Sequence, residues 1–345
     1  MVAPPPPLPE DSGAPARGRD MSAPPGPDAP PRPTGFRHEA YLYRGEDEFV
    51  AGVLPFVGEA LAEGEPVLVV VPGPRIDLLR AALGGDADRV CFADMATLGR
   101  NPGRIISAWH DFLAESAPDG RRARGVAETA FPGRTEDEFV ECERHEFLLN
   151  VAFHEWPAWW LLCPYDAAAL DPGVVARTRH THPYLVEDGA SRPSPEWVGL
   201  AEAADQLLDH PLPPVPDEAA ELTFRDGALR GVRELVIQYA AWVGLSADRT
   251  GDLVLAVNEV AANSVRHGGG RGRLRVWRED TESGAMVVCE IGDRGRIRDP
   301  LVGRLRPALF QDGGRGMWMV NQLCDLVQVR SSGRGTVVRL RMVAD

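Results

Sequence analysis

No apolar run in the chain approaches the roughly 20 residues that a membrane-spanning helix needs, and the amino terminus lacks the basic-then-apolar order of a secretory leader. A cytoplasmic protein is the expectation. Cysteine is scarce and unpaired by spacing: Cys91, Cys142, Cys163, Cys289 and Cys324 are five in number and widely separated. That excludes a disulfide-stapled secreted scaffold and fits reduced thiols. Positive charge is also short, 37 Lys and Arg against 51 Asp and Glu, for a formal net charge of −14. Long-range repulsion then opposes direct encounter with nucleic acid or an anionic membrane, which leaves protein and nucleotide partners. A Gly-x-x-x-x-Gly-Lys-Ser/Thr loop is absent as well. Val71-Pro-Gly-Pro-Arg75 stands where it would follow the first apolar strand, so triphosphate is not expected to bind there.

What is present is the composition of a soluble globular protein, 44% hydrophobic and 26% charged, in 345 residues that suit two cores better than one. Residues 1–35 are rich in Pro, Ala, Gly and Asp and are expected to be a disordered tail, with Met21 a candidate start. From Phe36 the pattern alternates. Ala40–Tyr43, Gly64–Val71, Val90–Phe92, Arg124–Glu128 and Trp159–Cys163 read as strands, with helices at Glu46–Leu61, Ile76–Leu83, Pro102–Glu115 and ahead of Trp159. Such alternation predicts an α/β domain with a mainly parallel sheet over 36–203. Pro211, Pro213, Pro214 and Pro216 mark an extended linker, set at 204–218. Residues 219–345 then read as a second, α+β domain with one sheet covered by helices on one face.

Four stretches of that last domain carry chemistry. In Asn258-Glu259-Val-Ala-Ala-Asn263-Ser-Val-Arg-His267-Gly268, Glu259 and Asn263 lie one helical turn apart on one stripe, opposite an apolar stripe at Leu253, Val257 and Val260. A carboxylate and a carboxamide oxygen so placed can hold Mg²⁺, directly or through water. The pair alone also fits a solvated helix face. Glu290-Ile-Gly-Asp293-Arg-Gly295 puts an acid and a glycine at a strand end, suited to an exocyclic amine such as adenine N6 or to a plain turn. Asp312-Gly-Gly-Arg315-Gly316 precedes a short helix, where free backbone N–H groups can receive phosphate, or where a connector can flex. Gly333-Arg-Gly335-Thr336 opens the final strand and offers a hydroxyl, or only hairpin chemistry.

In order and setting these stretches resemble the N box, the two glycine boxes and the terminal Gly-Thr of the GHKL ATPases, in particular the anti-sigma-factor Ser/Thr kinases. The resemblance implies a Bergerat-type sandwich that binds ATP and Mg²⁺. Asn263 would ligate Mg²⁺ and Glu259 would act as catalytic base. Asp293 would recognise adenine, supported by Thr336. Gly295, Gly314 and Gly316 would shape pocket and lid, with His267 and Arg315 further nucleotide contacts. One departure stands out: the family's second glycine in Asp-x-Gly-x-Gly is Ile297 here, which bears on lid mobility. The segment Arg296–Asp312 is short for a lid, as in the anti-sigma branch. The partners implied are a sigma factor and/or a STAS-type anti-anti-sigma protein, and the assembly state is left open, a homodimer included. An ATP-binding module without phosphotransfer and an atypical histidine kinase are the alternatives. For the latter no acceptor histidine on a helical hairpin precedes the domain, and His145, in Glu-Arg-His-Glu, reads as a surface helix residue.

The amino-terminal domain resembles the MEDS sensory domain, through His38-Glu-Ala-Tyr-Leu-Tyr43, Pro55-Phe56, Gly64-Glu65, Cys163-Pro-Tyr165-Asp166 and His182-Pro183. That resemblance implies a RecA-like α/β fold and a small-molecule or redox signal. A pocket at the carboxyl ends of the strands, lined by Tyr43, Trp109, Trp159 and Tyr165, is one expectation, with plain aromatic core the other. His38, Cys163, His180 and His182 are soft metal-ligand types, but no paired spacing joins them, so core or surface roles are expected.

Overall fold

Every residue of Val67–Val71 (β2) is buried, and the strand divides its side chains between two separate cores. Val67, Val69 and Val71 face Phe49, Val53, Val57 and Leu79, on helices α1 (Gly45–Ala62) and α2 (Gly73–Leu83). Leu68 and Val70 face Ile105, Trp109 and Leu149, on α4 (Ile105–Ser116) and α5 (Glu136–Phe153). A strand covered on both faces has no polar side to show, hence its unbroken apolar sequence. The computed structural model describes residues 35–345 apart from 188, 198, 201–210, 282–283 and 308–313. The expectations for the tail, for 204–210 of the linker and for Asp312 therefore lie outside the described residues.

With β1 (Phe36–Tyr43), β3 (Cys91–Asp94), β4 (Ala123–Ala127), β5 (Trp159–Asp166), β6 (Tyr184–Glu187) and β7 (Ala190–Pro193), β2 forms a seven-stranded sheet ordered β3-β2-β4-β5-β1-β6-β7. Pairing is parallel except for the edge pair β6–β7. Short α3 (Met95–Leu98) and α6 (Pro172–Thr181) also belong to this half. The helix expected from Pro102 begins instead as a 3₁₀ turn, Pro102–Arg104, with Asn101 accepting from the Gly103 N–H. A capping box starts α5, Thr135 and Glu138 each satisfying the other's backbone N–H.

At the carboxyl ends of this sheet Tyr43 donates to the Glu128 carboxylate, and burial pushes the Glu128 carboxyl up to about 7 from its ordinary 4.5. Raised in the folded state, this group stabilises most below about pH 4.5, and the contribution is lost as pH rises through 7. Glu128→Gln is therefore expected to change stability little at pH 5 and to raise it at pH 8, by on the order of 3 kcal/mol at most. Denaturant titrations at the two pH values check this; an equal effect at both would contradict it.

The carboxy-terminal half is a five-stranded antiparallel sheet, order β11-β12-β10-β9-β8, made of β8 (Ala220–Arg225), β9 (Arg271–Thr281), β10 (Gly284–Asp293), β11 (Leu326–Ser332) and β12 (Gly335–Val343). Helices α7 (Leu229–Val243), α8 (Ala247–His267) and α9 (Arg315–Leu323) contribute to one core with Val276, Cys289, Ile291 and Leu340 of the sheet. Leu253, Val257 and Val260 of α8 are buried there, as their spacing predicts, and Ser246 caps that helix by accepting from the Arg249 N–H. On the opposite face Val215 and Ala219 pack on Trp277, Met286 and Val288.

The two halves meet at α9. Arg104 donates to the carbonyls of Asn321 (2.8 Å) and Cys324 (3.0 Å), so a guanidinium from the first half satisfies groups left open at the carboxyl end of that helix. Asn101 donates to Asn321 O at 3.0 Å, and Trp318 Nε1 to Ser107 Oγ at 3.2 Å. Leu301 and Leu305 pack against the core of the first half. Among the described residues no helix is long and apolar enough to cross a membrane.

Candidate functional site

Between α8, the end of β10, the start of β12 and the amino end of α9 lies a cleft of about 830 Å³. Glu259, Asn263, His267, Asp293, Gly295, Gly314, Arg315, Gly316 and Thr336 all line it, so residues from four separate stretches share one cavity. Asn258 is turned away and accepts from Arg233 Nη1 at 2.9 Å.

Asp293 is held from two sides. Ser264 Oγ donates to its Oδ2 at 2.6 Å and the Gly295 N–H to its Oδ1 at 2.7 Å. An ionised carboxylate has about four acceptor directions, so two further donors can still be received. The turn around it has no room for side chains: a Cβ on Gly268 would stand 2.4 Å from Asp293 Cγ, and one on Gly295 would stand 2.7 Å from His267 O.

Thr336 lies opposite Asp293 in the β10–β12 register. Its hydroxyl donates to Gly295 O at 2.9 Å and sits 2.9 Å from Ser331 Oγ, which accepts from the Ile297 N–H at 2.8 Å. Thr336 thus holds the glycine turn in place rather than offering a bare donor to the cleft. The same chain of bonds ties down Ile297, the position of the departure from the glycine box.

Across the cleft Gly314 adopts a left-handed φ of 82°, and a Cβ on Gly316 would come within 2.8 Å of Glu259 Oε2. The backbone at the start of α9 therefore passes directly beside the Glu259–Asn263 wall. A carboxylate and a carboxamide one helical turn apart suit a hard cation that keeps some of its water. The glycine-lined floor beside a fixed carboxylate suits a flat amine-bearing ring, and the amino end of α9 suits phosphate. The side chains present fit Mg-ATP. Sequence reasoning missed Ser264, although it follows Asn263 directly, and the cationic rim of Arg266, Arg296 and Arg298, which no local pattern marks.

A second cleft of about 800 Å³ opens on the other face of the sheet, among Arg271, Arg273, Arg275, Arg339 and the Pro211–Val215 segment. It shares Asp293 and Thr336 with the first cleft but not Glu259 or Asn263, and its buried Glu290 is taken by Arg339, at 2.6 and 3.0 Å, and by Arg275.

In the first half Trp109, Trp159, Tyr43 and Tyr165 are all buried, as a plain aromatic core requires, with Trp109 and Trp159 rings 5.4 Å apart and Trp159 at the amino end of its strand; Tyr165, near the carboxyl end, borders a small cavity beside Cys142, Glu146, Thr178 and Thr181. His145 is fully buried on α5 rather than at the surface, and burial pulls its pKa down to about 3. Of the four soft-ligand residues, His180 lies at the surface against Glu196, whereas His38, Cys163 and His182 converge around Glu146.

The acid-and-glycine turn, the Glu–Asn helix stripe it faces and the sheet behind them lie within the stretch of chain that a family model covers. Residues 222–342 match the family model of the histidine kinase-like ATPase domain, and residues 37–183 match that of MEDS, the methanogen/methylotroph, DcmR sensory domain. The chain carries a MEDS domain followed by a GHKL-like ATPase domain. Among solved structures it is similar to the RsbU and RsbW domains of Rv1364c from Mycobacterium tuberculosis, at 20% identity over 37% of this chain and 33% of that one, with a TM-score of 0.27. No curated protein matches the chain.

Proposed function

We propose that the chain is an ATP-dependent Ser/Thr protein kinase of the anti-sigma-factor type, acting on a STAS-type anti-anti-sigma partner or sequestering a sigma factor, under control of its MEDS domain. The observation that carries the reading is the convergence of Glu259, Asn263, Asp293 and the glycines of two turns on one cleft. In this reading 36–203 senses, 204–218 links and 219–345 carries the kinase site.

Bound Mg-ATP supplies the transferable phosphoryl group. Asp293, fixed by Ser264 and Gly295, accepts from the purine amine, and Thr336 keeps the turn at the distance this requires. Asn263 holds the cation through its carboxamide oxygen. Glu259, one turn earlier, receives the proton of the attacking hydroxyl. Control by the first half is supported by its grip on α9, whose amino end borders the site while Arg104 and Asn101 hold the other end. A second reading, ATP binding without transfer, draws on the tethering of Ile297 to Ser331 at the start of the lid segment.

Incubation with Mg-ATP and candidate STAS proteins separates these readings. Acid-stable phosphate on the partner is expected; acid-labile phosphate on the chain itself would indicate a histidine kinase, and nucleotide binding with neither product the second reading. Glu259→Gln is expected to keep nucleotide affinity within a few-fold and to lower the transfer rate by about 10²–10⁴-fold, the usual worth of a positioned base. Transfer undiminished in this variant removes Glu259 from that role.

A further inference from the structure

We propose that His38, Glu146, Cys163 and His182 form a closed, four-ligand metal site of the zinc class inside the MEDS domain. The proposal is independent of the kinase reading. One ligand atom from each residue lies within 4.8 Å of all the others, and all four residues are buried. They arrive from β1, α5, β5 and the residue that ends α6.

The spacing is that of a coordination shell. His38 Nε2 lies 3.2 Å from Glu146 Oε2 and 3.3 Å from Cys163 Sγ; His182 Nε2 and Cys163 Sγ each lie 3.5 Å from the same carboxylate oxygen. A tetrahedron with bonds of about 2.0–2.3 Å has edges of about 3.3–3.8 Å, so a metal can enter with small side-chain shifts.

The surrounding hydrogen bonds aim the lone pairs inward. Asn150 Nδ2 donates to the carbonyls of Thr181 (2.9 Å) and Glu146 (3.1 Å), which leaves Asn150 Oδ1 as the acceptor facing His38 Nδ1 at 3.1 Å. His38 then carries its proton on Nδ1. His182 Nδ1 stands 2.9 Å from Thr178 O, which can only accept, so its proton is on Nδ1 as well. Both Nε2 lone pairs therefore point at the carboxylate, and His182 Nε2 has no hydrogen-bond partner. Backbone or amide support behind each ligating imidazole is how metal-binding histidines are oriented. Two imidazole lone pairs and a carboxylate facing one another leave an excess of acceptors that the single Cys163 thiol proton cannot satisfy.

A divalent cation resolves this. On binding, the Cys163 S–H bond breaks, sulfur bonds to the metal and the proton leaves to solvent. A dication, one thiolate, one carboxylate and two neutral imidazoles sum to zero formal charge, the state a dry interior tolerates best. A mixed nitrogen, sulfur and oxygen set suits zinc over calcium or magnesium. With all four ligands buried and no open position, the site is structural or signal-sensing rather than catalytic.

The test uses the full chain, stripped with a chelator and titrated with Co²⁺, then Zn²⁺. One Co²⁺ per chain is expected, with tetrahedral d–d bands and a thiolate-to-cobalt charge-transfer band that Zn²⁺ abolishes. Cys163→Ser should remove the charge-transfer band, and Cys142→Ser, a buried thiol outside the cluster, should retain it. A folded wild-type chain that takes up neither ion, or a band that survives Cys163→Ser, overturns the proposal. X-ray absorption on the zinc-loaded wild type needs no variant to fold: one sulfur and three nitrogen or oxygen neighbours are expected, and a shell without sulfur overturns it.

Discussion

Replacing Glu141 by alanine is expected to destabilise the chain by about 3–5 kcal/mol, the cost of breaking a buried ion pair by removing one partner. Glu141 is 1% exposed on α5. Its Oε1 accepts from Arg330 at 2.8 Å and Arg144 at 3.3 Å, and its Oε2 lies 3.8 Å from Arg304. Arg144 and Glu141 belong to the MEDS half, Arg304 and Arg330 to the ATPase half, so one carboxylate neutralises guanidiniums from both. Truncation leaves that positive charge buried without its counter-ion, which is worse than never having placed it there. The unfolding midpoint in denaturant measures the loss, with Glu155→Ala as control, since Glu155 is exposed and changes of that kind stay within about 0.5 kcal/mol. Equal midpoints for the two variants would show the network to be dispensable. Because Arg304 follows Leu301 and precedes Leu305 at the junction, the same variant should also alter nucleotide affinity.

The misreading of His145 and the importance of Glu141 have one cause. Helix α5 reads Glu-Cys-Glu-Arg-His-Glu, with charge on nearly every side, and such a pattern usually means solvent. Here Glu141 and Arg144 face the other half of the chain and Glu146 faces two histidines, so the charges are buried with partners. Periodicity reports polarity, not whether a polar group has been answered from another element. The strands with unbroken apolar runs and the apolar stripe of α8 were legible because burial there needs only apolar surface. The edge elements α6, β6 and β7 were not: they are short, and Arg192 and Pro193 sit in β7, where an edge strand tolerates what a central one would not.

The two candidate sites differ in the same way. The proposed nucleotide cleft is assembled from short local stretches, each with its own turn or helix signature, and each could be read before their meeting was known. The metal cluster joins His38 to Glu146 across 108 residues and to Cys163 across 125. No spacing rule spans such separations. What brings them together is topology: β1 lies beside β5 in parallel, Ala40 paired with Cys163, and α5 crosses the face toward which His38 projects. His180 shares the residue types and not the position, which is why counting soft ligands by eye could not separate it from His182.

Gly295→Ala is expected to weaken nucleotide binding by about 10–100-fold, in the presence or absence of Mg²⁺, while Asn263→Ala should remove only the part of the affinity that Mg²⁺ confers. Gly295 has no need of its conformational freedom; its constraint is space. A Cβ there would stand 2.7 Å from His267 O, 2.9 Å from Asp293 Oδ1 and 3.0 Å from Gly268 Cα. Two of those atoms are backbone at the end of α8 and cannot rotate aside, so relief must come from moving the Asp293 carboxylate or the turn that Thr336 holds. Overpacking of this degree costs about 1–3 kcal/mol, and where the displaced group is the purine acceptor that cost appears as the stated loss in affinity. Gly333→Ala is the control, because nothing lies within 4 Å of a Cβ at that position. Calorimetric titration with ATP, with and without Mg²⁺, reads all three variants. If Gly295→Ala binds as tightly as Gly333→Ala, the turn between Asp293 and Gly295 does not face the purine; if Asn263→Ala keeps its Mg²⁺ dependence, the cation is held elsewhere in the cleft.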